Sequence, residues 1–310
     1  MKSRPLKLKI VGTVLLALLF IATGRAQMNQ APAQSTPPAQ SPSTPPPSGQ
    51  PPAAGQAPAT PATPPPVDKA EEDAYKAFLA AHGPGDPTQE ITLGEAFVVK
   101  YPTSRYAPTV YSALAIAYLS RGESGDSDKM VADAQKAVDL DPDNVDALSL
   151  LVWSMARTVN PGTPGASDEF LKLENYGHHA IALVSTMTKP AGIDDVQFAA
   201  AKNDNLSMCH SGLGLIEFKT GKYAESVADM TQAVQLANSP DPVDYFILGH
   251  ADEATNRFED AMTAFSKCSD SGPMQARCQS GLDDAKKKAL LAPAPAATPA
   301  PSTPPSTPQQ

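Results

Sequence analysis

The chain has 310 residues, 33 of them proline, three cysteines, only 18% charged residues and a formal net charge of −9. Five of its 24 basic residues precede position 27 and none of its acids does, so the chain beyond Ala26 carries 19 bases against 33 acids, a net of −14. An acidic body of that kind excludes general binding to nucleic acid or to anionic lipid surfaces.

The first 26 residues read as an export signal. Lys2, Arg4, Lys7 and Lys9 precede an apolar run from Ile10 to Ala22, and Gly24-Arg25-Ala26 places small residues at −3 and −1 of a cleavage point after Ala26. Thirteen residues reach about 20 Å as a helix, short of the roughly 30 Å of a bilayer core, so an uncleaved anchor fits less well. Membrane contact is expected only through this segment if it is left uncleaved. No cysteine follows the cleavage point closely enough to carry a lipid anchor. The expected destination is the periplasm or the extracellular space.

Residues 27–66 hold fourteen prolines and residues 291–310 seven, and neither stretch contains an Asp, Glu, Lys or Arg. Too little apolar side chain is present to offset ordering entropy, so both are expected to be disordered arms rich in polyproline II. The first would reach roughly 100 Å if extended. An inert linker, a wall-crossing spacer and a Pro-rich ligand all suit the composition.

Between the arms, residues 67–290 form one helical body. Apolar residues recur with helical period, alanine is abundant, and glycine and proline fall between the periodic segments. A second period lies above the first. Leu213-Gly214 is followed by Gly221-Lys222-Tyr223, then Val227, Met230, Ala233 and Leu236; thirty-five residues after Gly214, Leu248-Gly249 opens a similar series with Phe258, Ala261, Met262, Phe265 and Cys268. A small residue midway along a first helix lets a second approach closely, an aromatic such as Tyr223 or Phe258 plugs the turn, and small residues at Ser226, Ala233 and Ala261 admit the next pair. One pair cannot cover its own apolar face, so each stacks on its neighbour.

These residues resemble the tetratricopeptide repeat (TPR), a 34-residue helix–turn–helix unit. Copies over 207–240 and 242–275 fit closely. An earlier copy runs through Tyr111, Leu114, Ala115, Tyr118 and Gly122 to Ala137, Leu140, Asp141 and Pro142, with about three extra residues around Glu123–Asp128. A fourth unit is irregular: its first helix starts at Val145 and contains Trp153, Val152 sits where a small residue belongs, and its second helix, near Asp168–Met187, follows a long loop over Asn160–Ala166. The segment Phe97-x-x-x-Tyr101-Pro102-x-Ser104-x-Tyr106-Ala107 resembles repeats of bacterial envelope proteins that coordinate outer-membrane assembly or constriction. The resemblance implies an all-α solenoid of about five or six helix pairs. It also implies a concave groove, lined by first helices, that receives a peptide or helix of a partner protein. Carried onto this chain, the groove positions are Trp153, Arg157, Met208, Ser211, Leu215, Phe218, Lys219, Phe246, His250 and Glu253. There the aromatics offer contact area, and Arg157 and Lys219 are suited to meet a carboxylate. Burial of Phe218 and Phe246 under adjacent helices or the chain's own arms is the competing expectation.

Patterns of site chemistry fail on inspection. Asp139-Leu140-Asp141-Pro142-Asp143-Asn144 puts Asn144 and Leu150 where an EF-hand needs glycine and a bidentate glutamate. His82, His178, His179, His210 and His250 form no His-Glu-x-x-His set. Gly212-x-Gly214 lacks a third glycine and a preceding strand, Gly221-Lys222 lacks the upstream glycine of a P-loop, and Ser211 lacks a nucleophile elbow. No catalytic residue, metal or cofactor is expected. In an exported chain Cys268 and Cys278 either bridge the last repeat to the following helix or simply pack as small hydrophobes, and Cys209 is left as a buried thiol. The expectation is a non-enzymatic protein-binding scaffold. Its rivals are an envelope-assembly accessory, a spacer whose groove its own tails fill, and an enzyme domain within 145–205.

Overall fold

A computed structural model describes residues 68–83, 86–268 and 272–291. The export signal and both Pro-rich arms lie outside the described residues, apart from Leu291 at the end of the last helix. Eleven α-helices and no strand occur among the described residues: α1 Lys69–Ala81, α2 Pro87–Lys100, α3 Ala107–Arg121, α4 Asp126–Leu140, α5 Val145–Thr158, α6 Ala166–Thr186, α7 Asp195–Thr220, α8 Tyr223–Leu236, α9 Pro242–Ala254, α10 Phe258–Cys268 and α11 Gln275–Leu291. None of these is long and apolar enough to cross a membrane. They pack as five consecutive pairs closed by α11, and each first helix from α3 onward touches the next, through α5, α7 and α9 to α11.

The boundaries follow from local chemistry. Asp68, Asp86, Asn144, Asp194 and Asp241 cap helix N-termini, their side chains accepting from the exposed N–H groups of Ala70, Thr88, Ala147, Gln197 and Val243. Asn144 and Asp141, which accepts from the Asp143 N–H, therefore spend the acidic 139–144 segment on turn and cap hydrogen bonds. Gly122 and Gly221 end α3 and α7 in the left-handed region. The extra residues between α3 and α4 are held by Asp126, whose carboxylate takes Arg121 and the Glu123 N–H.

Small residues set the helix spacing. A Cβ built on Gly214 would lie 2.9 Å from Met230 of α8, and one on Gly249 2.7 Å from the ring of Phe265 in α10. The repeated Leu-Gly pair thus marks where each second helix crosses its first. Gly212, two residues earlier and on another face of α7, meets the Val152 carbonyl of α5 at 2.5 Å by the same construction. The irregular unit lacks a small residue at Val152, and the neighbouring first helix supplies it instead.

Several sequence expectations need correction. The copy placed at 207–240 begins much earlier, because α7 is 26 residues long and starts at Asp195. Tyr223 meets Phe218 edge-on at 5.6 Å across the α7–α8 turn and stays 38% exposed, so it covers that turn only in part. Leu140, part of the third copy's packing series, is 42% exposed. The Phe97–Ala107 segment is a packing element, with Tyr106 stacked on Tyr75 of α1 at 4.0 Å and Phe97 buried beside them.

Candidate functional site

The surface made by α5, α7 and α9 gathers the residues that the repeat pattern assigns to a groove. Leucine and aromatic side chains at helical spacing fill it: Leu215 is buried and Trp153, Met208, Phe218 and Phe246 are half-buried against the core. Both competing expectations therefore apply to the aromatics at once, since each is anchored by its neighbours and keeps part of its face outside.

Arg157 is the hub. Its guanidinium lies 4.3 Å from the centroid of Trp153 and donates to the Trp153 carbonyl at 2.7 Å. From α5 it then reaches Ser211 of α7 at 3.0 Å, Asp244 of α9 at 3.1 Å and Asp241, the α9 cap, at 3.3 Å. Ser211 donates to Asp244 at 2.6 Å. One side chain so ties three first helices together. Asp244 is 6% exposed at its side chain, and burial pushes its carboxyl up to about 6 even though Arg157 and Ser211 favour the charged form.

Lys219 is engaged in a similar way. Its ammonium donates to the Ala156 and Val159 carbonyls, both at 2.6 Å, and so satisfies orphan acceptors at the end of α5. Burial first, and Arg157 second, hold its pKa below the usual lysine value. The two cations expected to await a partner's carboxylate are thus bound within the chain, to Asp241 and Asp244 in one case and to helix carbonyls in the other.

At the α9 end, His250 packs edge-on against Phe246 at 4.5 Å and Phe265 at 4.9 Å, with Phe218 at 6.4 Å. Its Nδ1 lies 3.2 Å from Glu253, whose other oxygen is 3.1 Å from Lys288 of α11. Glu253 is therefore buried between groove and terminal helix. The structure joins Cys268 at the end of α10 to Cys278 of α11, with Cα atoms 5.7 Å apart, and leaves Cys209 buried and unbridged, its thiol pushed up to about 12 by burial. Three further histidines each sit beside one carboxylate: His82 at 2.6 Å from Glu90, His179 at 2.9 Å from Asp143, and His210 at 2.7 Å from Asp229, while His178 is exposed.

Sequence reasoning missed Asp241, Asp244 and Lys288. The two aspartates sit at the cap and in the first turn of α9, where acids are expected for helix-terminal reasons alone. Nothing in their spacing points to Arg157, 84 and 87 residues earlier. Lys288 is one of three consecutive lysines on α11, and only the packing of α11 on α9 selects it.

Among the described residues the chain is an all-α array of stacked helix pairs spaced by small-residue contacts. Neither a protein-family profile nor a curated protein sequence matches it. Among solved structures it is similar to a thermophilic TPR protein of Thermus thermophilus, at 16% identity over 72% of this chain and all of that one, with a TM-score of 0.36. It is also similar to a tetratricopeptide repeat protein of Parabacteroides merdae, at 14% identity over 71% of this chain and all of that one, with a TM-score of 0.27.

Proposed function

We propose that this chain is an exported, non-enzymatic scaffold that binds a segment of a partner protein along the surface of α5, α7 and α9. The observation that supports this reading is the row of half-buried Trp153, Met208, Phe218 and Phe246 on successive first helices, which Arg157 links through Trp153, Ser211 and Asp244. Anchored aromatics give contact area at low conformational cost, the property that concentrates binding energy at interfaces. With Arg157 and Lys219 engaged internally, apolar contact carries recognition and carboxylate capture contributes little.

Affinity capture from envelope extract tests the reading, with the exported chain beside a Phe218→Ala/Phe246→Ala version shown to be folded by circular dichroism. A protein retained by the first and lost by the second is the expected result. Equal retention by both would move the interface off this surface. Export itself is tested by sequencing the N-terminus of the mature protein, which should begin at Gln27.

A further inference from the structure

Among the described residues the array ends on a single helix: α11 packs against α10 and, less closely, α9, and no pair partner follows it. Its hold is slight for its length. Of its 17 residues Cys278, Gly281 and Ala285 are buried and Leu282 partly so, whereas the 11 residues of α10 bury Phe265 as well as Ala261, Ala264 and Cys268. Leu290 and Leu291 are largely exposed. Small side chains gain little from burial, so apolar contact by itself holds α11 weakly.

What α11 covers is large. A Cβ built on Gly281 would lie 2.6 Å from the Phe265 ring, so α11 presses its backbone onto a side chain that is fully buried. Phe265 in turn meets Phe246 at 6.1 Å and His250 at 4.9 Å. Lys288 lies 3.1 Å from Glu253, and Glu253 3.2 Å from His250. Beyond the chain itself, the covalent tie between α11 and the body is Cys268–Cys278, ten residues apart in sequence, with both side chains buried. Such a tie limits how far α11 can swing when its few contacts break.

We infer that the Cys268–Cys278 bridge is a redox-operated latch on α11. Oxidised, it keeps α11 seated over Phe265 and beside Glu253. Reduced, it frees α11 to leave α9 and α10, which uncovers Phe265 and takes Lys288 away from Glu253. The reductant is a dithiol. One of its thiolates attacks a bridge sulfur reached as α11 opens; the S–S bond breaks and a mixed disulfide forms. The second thiol displaces that bond, so Cys268 and Cys278 end as thiols and the dithiol as a disulfide, with two electrons and two protons passed to the bridge. A released α11, with Gly281 near its middle, keeps little helicity of its own, so release is also loss of structure. The inference rests on α9, α10 and α11 alone and holds whether or not the surface of α5, α7 and α9 binds a partner. If that surface does bind one, Phe246 and His250 lose their flanking wall on reduction.

Hydrogen exchange and aromatic NMR of the chain from Gln27 to Gln310, before and after dithiothreitol, test it. Reduction should speed exchange across α11 by about tenfold or more, shift the Phe265 and His250 ring resonances and leave α3 to α6 unchanged. Oxidised glutathione should restore the first state. C209A should respond as the wild type does, and C268A/C278A should show the fast α11 exchange with or without reductant. Equal α11 protection in both redox states would overturn the proposal, because α11 would then seat without the bridge. So would loss of protection across α3 to α6 on reduction, which would make the bridge a staple of the whole body.

Discussion

Asp244 provides the sharpest energetic test of the Arg157 brace. Its carboxyl is raised from 3.8 to about 6 by burial, which outweighs the favourable pull of Arg157 and Ser211. Stability linked to a raised carboxyl is fully present below the unfolded value near 4 and is lost as pH rises through 6. A displacement of about two units corresponds to about 3 kcal/mol. Asp244→Asn keeps an oxygen for Ser211 and Arg157 but cannot ionise, so it removes this dependence. Urea unfolding of wild type and variant, followed by Trp153, the single tryptophan and a neighbour of Arg157, should give a stability difference that moves by about 2–2.5 kcal/mol in the variant's favour between pH 4 and pH 7.5. A difference that does not change with pH, or that moves toward the wild type as pH rises, would show that the Arg157 pair outweighs burial and would refute the reasoning.

Asp252, also raised to about 6 by burial, adds to the same trend, whereas Asp126, held down chiefly by its hydrogen bond from Arg121, loses its stabilisation in acid; wild-type stability should therefore peak near pH 4 and fall toward pH 6 in a urea series. Cys278→Ser opens the Cys268–Cys278 bridge and should cost about 2–3 kcal/mol, with hydrogen exchange rising first in α11; thiol titration of the denatured wild type should find one free thiol before reduction and three after it. Gly249→Val drives a side chain into the Phe265 ring and should cost about 1–3 kcal/mol by the same urea assay, whereas Gly125→Ala, where nothing lies within 4 Å of the new Cβ, should show only the smaller cost of its left-handed backbone.

Much of the architecture was legible because packing writes a period into the chain. Gly214 and Gly249 had to be small for Met230 and Phe265 to pass, and the turns between pairs had to carry glycine, proline or a capping acid. The length of α7 was hidden, since residues 195–206 continue a helical pattern past the point where a repeat should begin. The expected groove residues lie on α5, α7 and α9, but the partners of the two cations among them were not legible. Arg157 and Lys219 looked free in sequence because hydrogen bonds to residues 54 to 87 positions away leave no local pattern. Cys268 and Cys278, only ten residues apart, were within reach of spacing arguments, yet their neighbourhood depends on how α11 folds back on α10.

Partner recognition on the first helices is the central claim, and site-directed photo-cross-linking in the native envelope measures it most directly. A photoreactive residue is placed at Met208 or Phe246, and at Val99 or Leu171 on second helices, where both side chains are largely exposed. Cross-linking of one protein from the first pair of positions but not from the second is the result the account predicts. The same yield from Val99 and Leu171, with none from Met208 and Phe246, would contradict it.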